Sequence, residues 1–313
     1  MLTKKLTKKK KSSLLHPGVI VSEIANLFFV MMLPVLAYLP KKFKLHLSEF
    51  CARLVMRSSW KRNNVVSINL KKCFPELTEI ELLELRQQFF VNMFYAMFHE
   101  NSVSWHRSNK YIMKSVTLSG SDIITNHNNN GLPVLIICPH FTHMFLAARI
   151  IRFITSFTAI RKKQHSRIFE SYYGRRLDKY DMRNVMQRDV RKAISLLKKK
   201  NNFLLLPDAD LGTRNSIFAN FFGIPTATVT SVSQFAKLGR AKVVMALFRR
   251  HQDGTYLMEF KDISEKLTLQ DYQQDATFIN EYLADFIRKE PSQYGWLHRR
   301  FKTRPPGEPD FYK

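Results

Sequence analysis

From Gly18 to Leu39 the chain is almost wholly apolar, with Glu23 as the only charge in the run. About twenty residues of helix are enough to cross a bilayer core. Pro34 would kink such a helix, and Glu23 and Asn26 weaken it as a span. The alternative is an amphipathic helix lying in the membrane interface. Residues 41–72 then read as helical and basic. Cys73-Phe74-Pro75-Glu76-Leu77 is a turn. Thr78 with Glu81 three residues on is a capping-box signal, and apolar residues at three- and four-residue spacing predict a helix from about Glu79 to Ser104. Met113–Leu118 reads as a strand and Asn126–Gly131 as a polar loop. Pro133–Cys138 is a continuous apolar run of strand length, as expected for a strand buried on both faces.

Beyond it the pattern predicts a helix from about Thr142 to Phe153, a strand at 156–160, a basic helical stretch and a helix over about 188–199. Phe203–Leu206 is a second buried strand. A helix around 228–238, strands at 242–248 and 256–260, a helix over about 275–289 and a basic carboxyl-terminal loop complete the chain. Strands alternating with helices predict an α/β fold with a central, mostly parallel sheet flanked by helices, preceded by an amino-terminal membrane-anchoring helix. The expected division is a basic amino terminus and anchor over 1–45 and one folded domain over 46–313.

Charge changes this picture. The 313 residues carry 50 Lys and Arg against 25 Asp and Glu, a formal net charge of +25. So basic a surface expects anionic partners: nucleic acid, an acidic carrier protein or anionic lipid. Six lysines lie within residues 4–11, and Lys41, Lys42 and Lys44 follow the apolar run. No small-x-small cleavage site is evident, so an uncleaved anchor is expected, and the basic surface reads as membrane-facing. No zinc finger, RNP or other recognition motif favours nucleic acid. Three scattered cysteines, Cys51, Cys73 and Cys138, fit a reducing compartment rather than a disulfide framework. Nothing suggests a metal or a nucleotide cofactor.

Candidate chemistry begins at Ile136-Ile137-Cys138-Pro139-His140. His140 follows the carboxyl end of a buried strand, where α/β sheets bind ligands. An imidazole there suits a general base, although a capped loop histidine would look the same. Cys138 reads as a buried strand residue. Ser216 lacks the strained G-x-S-x-G elbow of a covalent nucleophile.

Three further blocks carry a resemblance. They are Arg62–Glu76, Pro207-Asp208-Ala209-Asp210-Leu211-Gly212-Thr213-Arg214-Asn215-Ser216-Ile217-Phe218, and Tyr294-Gly295-Trp296-Leu297-His298-Arg299-Arg300-Phe301-Lys302-Thr303-Arg304-Pro305. With His140-Phe141-Thr142-His143-Met144-Phe145 they make the chain resemble the late acyltransferases of lipid A biosynthesis, the lauroyl/myristoyl branch of the lysophospholipid acyltransferase superfamily. The resemblance runs from about Leu15 to Gly307. It implies an inner-membrane enzyme facing the cytoplasm that moves an acyl group from acyl carrier protein to a hydroxyl of a lipid A precursor. The family's catalytic motif is a histidine, four residues, then an acid. Here the acid position holds Phe145.

The gap matters because a carboxylate fixes the tautomer of the catalytic histidine and stabilises its cation. By their positions in matched blocks, Asp208, Asp210 and Glu100 are candidates to replace it, and His143 is a candidate to assist. Asp210 could equally cap its own turn. Phosphate recognition on lipid A is expected of Arg161, which aligns with a family arginine, and of Arg175 and Arg214. The cluster His298–Lys302, with Arg299 and Arg300, is of anion-binding or membrane-docking type. The arginines outside that cluster have the plainer reading of ordinary surface charge, and part of the cluster's segment could equally serve to close the core. The basic surface around Arg175–Arg191 suits an acidic carrier protein.

Three functions stay open at this point: fatty acyl transfer, glycyl transfer and an inactive lipid A-binding homologue. The second arises because a divergent superfamily member, a lipid A glycyltransferase of a vibrio, confers polymyxin resistance. The ammonium of an aminoacyl thioester makes its carbonyl more electrophilic, which would suit a weaker base.

Overall fold

The computed structural model describes residues 17–186 and 189–313. The lysines within 4–11 therefore lie outside the described residues, as does Arg188 at the expected start of a helix. Helices α1 (Pro17–Tyr38), α2 (Lys41–Arg57) and α3 (Lys61–Cys73) open the chain. Next comes α4 (Glu79–Tyr95), which starts with the expected capping box between Thr78 and Glu81. It runs without a break through a π-helical turn at Ala96–Glu100 into α5 (Asn101–His106). The pattern reading took these as one helix and did not register the π turn. α6 (Asn109–Met113) precedes β1 (Val116–Ser119), so Met113 ends a helix rather than starting a strand.

Residues 126–129, expected in a polar loop, close α7 (Asp122–Asn129). Its apolar face is one short stripe around buried Ile124, too little to register as a period. Then follow β2 (Val134–Ile137), α8 (Met144–Ile154), β3 (Phe157–Arg161), α9 (Arg167–Lys179), β4 (Arg183–Met186), α10 (Val190–Lys198) and β5 (Asn202–Leu205). β6 (Ser216–Phe221) and β7 (Ile224–Val229) form an antiparallel hairpin. α11 (Ser231–Gly239), β8 (Lys242–Arg250), β9 (Tyr256–Asp262) and α12 (Tyr272–Lys289) complete the order. Neither β4 nor the hairpin was evident in the sequence pattern. β4 is a single short edge strand with polar residues, and Thr228 and Val229, expected at the start of a helix, instead end β7 of the hairpin.

The main sheet has seven strands in the order β1-β9-β8-β2-β5-β3-β4. Every pairing is parallel except β8 with β9. β2 and β5 lie at its centre and all their residues are buried, as their unbroken apolar character requires. The start of β5 is locked to β2 by a side chain. Asn202 accepts from the Val134 amide (2.8 Å) and from Asn128 Nδ2 (2.9 Å), while its own amide donates to Asn128 Oδ1 (2.8 Å) and Thr155 Oγ1 (2.7 Å). This fully satisfied cluster fixes the register Ile137↔Leu205 at the far end.

The α1 helix lies against the domain along its length. Val19, Glu23, Asn26, Val30, Leu33 and Ala37, at alternating four- and three-residue spacing, form the line of its covered face, flanked by Phe29, Met32 and Leu36. Near its start the Glu23 carboxylate accepts from Ser166 Oγ and from the Arg167 and Ile168 amides at 3.0–3.1 Å, capping α9. The orphan amides and dipole of a helix start favour a carboxylate there. At the other end Lys44 Nζ donates to Leu36 O (2.9 Å), and Tyr38 stacks under the Arg107 guanidinium. α1 is the one helix among the described residues long and apolar enough to cross a membrane.

Replacing Asn202 by Ala strands the Val134 amide in the core. A buried donor left unpaired costs about 1–3 kcal/mol, so urea unfolding should show a loss of that size.

Candidate active site

The central register decides where the chemistry sits. His140 and Asp208 each lie three residues beyond the paired residues Ile137 and Leu205, so two neighbouring parallel strands deliver them to the same place. His140 Nδ1 and Asp208 Oδ1 are 2.7 Å apart, and the His140 backbone amide donates to Asp208 Oδ2 at 2.9 Å. Tyr294 OH donates to the same oxygen at 2.9 Å. The carboxylate thus accepts three hydrogen bonds while its side chain is only 2% exposed; that of His140 is 21% exposed. Because a carboxylate only accepts, Nδ1 carries a proton and Nε2 is the nitrogen left for substrate.

Electrostatics favour the ion pair. Burial alone would lower the His140 pKa, but the charge and hydrogen bond of Asp208 outweigh it and hold the imidazole above its ordinary value. Burial would raise Asp208. His140, its two hydrogen bonds and the Arg300 charge instead hold it well below the usual carboxylate range.

Tyr294 and its neighbours close the site from the carboxyl-terminal segment. Phe141 and Tyr294 form an isolated antiparallel bridge, and the Thr142 amide donates to Gln293 O. Gly295 presses directly on His140: a Cβ there would stand 2.4 Å from His140 O. The His298 ring centroid lies 4.7 Å from that of His140, and burial together with that neighbour lowers its pKa to about 4.

The other expected residues fall elsewhere. His143 is buried with Nε2 donating to Phe248 O (2.9 Å), and burial takes its pKa down to about 3. Such a ring stays neutral and tied to backbone. Asp210 accepts from the Gly212 amide and from both the amide and hydroxyl of Thr303, tying its loop to the carboxyl-terminal segment. Glu100 sits in the π turn, bonded by Tyr256 OH and 3.8 Å from Arg250 Nε; burial raises its pKa to about 7. Neither Asp210 nor Glu100 is bonded to His140.

Arg161, expected to meet phosphate, already places its fork on the Glu170 carboxylate (2.7 and 2.8 Å). Arg300 is buried with Nη1 on Ala227 O and Nη2 on Thr228 Oγ1, so its charge acts on the site through the interior. Arg175, on α9, and Arg214, before β6, are exposed, and Arg299 lies over the Tyr312 ring. These two surface arginines and Arg299 are not brought together with His140 by any bond.

Phe145 lines an apolar groove of about 570 Å³. Its ring stacks on Tyr173 (4.9 Å, 6°) and meets Trp105 edge-on. Phe29, Val55, Trp60, Phe94, Met97, Phe169 and Leu297 form other walls, and Thr142 and Leu297 adjoin the His140–His298 pair along the chain. Sequence reading missed Tyr294 and Gly295 as parts of the site, although both stand in the quoted carboxyl-terminal block. It also missed the groove, whose walls come from distant segments. Among the described residues no cluster of three or more His, Cys, Asp or Glu could hold a metal ion.

Gly295→Ala should push the His140 carbonyl away. A displacement of about 1 Å can cost 10²-fold, so turnover should drop by up to about that factor with the fold kept, checked by circular dichroism beside the turnover rate.

The family model for bacterial lipid A biosynthesis acyltransferases matches residues 7–303. The chain is 27% identical over 264 residues to the lipid A biosynthesis lauroyltransferase of Escherichia coli K12, covering 83% of this chain and 85% of that protein. To the palmitoleoyltransferase of the same strain it is 25% identical, with 80% and 82% covered. To its myristoyltransferase it is 27% identical, with 89% and 87% covered. A sheet that delivers a histidine and a carboxylate beside an apolar groove, matched from residue 7 to residue 303, belongs to the bacterial lipid A biosynthesis acyltransferase family.

Proposed function

We propose that this acyltransferase moves a fatty acyl group from a carrier-protein thioester to a hydroxyl of lipid A or its precursor, with His140 as general base and Asp208 as the carboxylate that orients it. The observation that carries the reading is the His140–Asp208 pair, two residues along the chain from Thr142 in the wall of an apolar groove. Nε2 accepts the hydroxyl proton as the oxygen attacks the thioester carbonyl. The C–O bond forms, the C–S bond breaks, and the proton passes from His140 to the departing sulfur. Asp208 holds the Nδ1–H tautomer and stabilises the transient cation; Tyr294 and the His140 amide hold Asp208 in turn.

The groove favours a fatty chain over glycine as the donor group. Its volume is in the range of ordinary ligand sites, and nearly all of its walls are aromatic or aliphatic. Phe145 then belongs to the chain-binding wall rather than to the proton relay. An argument for glycyl transfer from a weakened base loses its premise when Asp208 stands 2.7 Å from Nδ1. The exposed outer face of α1 associates the enzyme with the inner membrane, the catalytic domain on the cytoplasmic side, and the basic surface of α9 and α10 receives the acidic carrier.

The base works only when neutral. Since Asp208 raises the His140 pKa, activity should rise with pH along a limb set above the ordinary histidine value. Asp208→Asn removes the raising charge and leaves burial and Arg300, which lower it. The limb should therefore move to lower pH while kcat falls about 10²–10⁴-fold, read from pH–rate profiles of both proteins. Unchanged profiles would discard the assignment of Asp208.

Phe145→Glu rebuilds the family's motif but places a carboxylate among Tyr173, Trp105 and Met97. It should reduce transfer rather than raise it. Mass spectrometry of lipid A from cells with wild-type protein, with His140→Ala and with neither reads the reaction itself. A fatty acyl increment that needs His140 is expected. A glycyl increment would shift the donor class, and no His140-dependent increment would point to an inactive lipid A-binding homologue.

A further inference from the structure

We infer that α1 does not cross the bilayer but lies in one leaflet beside α2, the two helices forming a platform that docks the enzyme on an anionic membrane surface from a single side. The inference rests on the membrane reading of α1 and specifies its geometry.

The first observation is what α1 is attached to. Between Glu23 and Tyr38 a helix rises about 22 Å, most of a hydrocarbon core. Glu23 is bonded to Ser166, Arg167 and Ile168, at the start of α9, and Phe29 packs edge-on against Phe169. At its other end Tyr38 OH donates to His106 O. A spanning α1 would carry the α9 start across the bilayer with it. That start holds Arg167, and the exposed Lys162 and Lys163 lie just before it. Cations at such depth are costly, and irregular backbone facing lipid leaves polar groups unsatisfied. An α1 lying in the plane of the interface keeps every one of these contacts.

The second observation is its outer face. Ile20, Val21, Ile24, Leu27, Phe28, Met31 and Val35 are exposed, opposite the covered stripe. A helix with one side on protein and the other apolar side bare suits insertion to shallow depth.

The third observation is that α2 repeats the design across the Leu39-Pro40 joint. Lys44, Ser48 and Ala52 face the core. Phe43, Leu47, Phe50 and Leu54, at four- and three-residue spacing, make an apolar stripe on another side, with Phe43, Phe50 and Leu54 each more than half exposed. Between the two runs a row that is basic on balance, Lys42, His46, Glu49, Arg53 and Arg57, at four- and three-residue steps. Apolar stripe beside basic row is the chemistry of an anionic headgroup boundary. The groove supports the same placement, because Phe29 of α1, Val55 of α2 and Trp60 meet at its wall. A leaflet-docked platform brings that wall to the level of lipid acyl chains.

The test uses the full chain in vesicles of phosphatidylcholine and phosphatidylglycerol. In a Cys51→Ser background, Lys5→Cys and Glu265→Cys place one thiol near the amino terminus and one on an exposed turn of the domain; Cys73 and Cys138 are buried. A membrane-impermeant maleimide is added before detergent, and intact mass counts labels per molecule. An in-plane α1 gives molecules with two labels or none. A spanning α1 gives molecules with one, which overturns the inference. A chain that does not sediment with the vesicles at physiological pH and salt overturns the membrane reading as well, so the two failures are distinct. For α2, Phe50→Trp in a Trp60→Phe background is compared with its Trp60→Phe parent, whose remaining Trp105 and Trp296 are buried. The added fluorescence should be lost to lipids brominated near the headgroup more than to lipids brominated near the chain end. Fluorescence untouched by either lipid, as in a stripe covered by a second copy of the chain, overturns the placement of α2.

Discussion

The pairing of β2 with β5 is the constraint on which the site depends. A parallel pair in fixed register puts equivalent positions beyond its carboxyl ends side by side, and His140 and Asp208 are such positions. A slip of one residue would turn every side chain of a strand to the opposite face. Register is held at one end by the Asn202 cluster and at the other by the Cys138 amide on Leu205 O. The helices, the hairpin and the carboxyl-terminal segment then close around this pair.

Burying Asp208 would be expensive without partners, because a carboxylate removed from water loses strong hydration. The protein replaces that hydration with the His140 amide, the His140 ring and the Tyr294 hydroxyl, and adds the buried Arg300 charge nearby. The arrangement explains how position 145 can be apolar. With a carboxylate already seated on Nδ1, a second one is not needed there, and Phe145 is free to join Tyr173 and Trp105 in the wall of the groove. One substitution thus places an aromatic ring of the groove wall where the family's motif has an acid.

The same economy of placement governs the charged residues. Glu23 looks misplaced in an apolar run until the start of α9 supplies its donors. Arg161 and Arg300 look like phosphate ligands until Glu170 and the β6–β7 hairpin occupy them. Much of the net charge of +25 remains on the surface, where it suits anionic lipid and an acidic carrier.

The sequence by itself determined the α/β class, the two buried central strands, the capping box at Thr78 and the strand-end placement of His140. These follow from local periodicity and from residues next to one another in the chain. It also held the family resemblance, because the blocks around His140, Asp208 and Tyr294 are contiguous. It did not reveal β4 or the hairpin, whose short, mixed-polarity strands carry little periodic signal. Only the tertiary structure chose Asp208 over Asp210 and Glu100, turned His143 into a packed ring on Phe248 O, and drew Phe29, Trp60, Phe145 and Tyr173 into one groove. Those outcomes depend on register and on contacts between residues far apart in sequence, and a hydrogen bond of 2.7 Å across sixty-eight positions leaves no trace in local pattern.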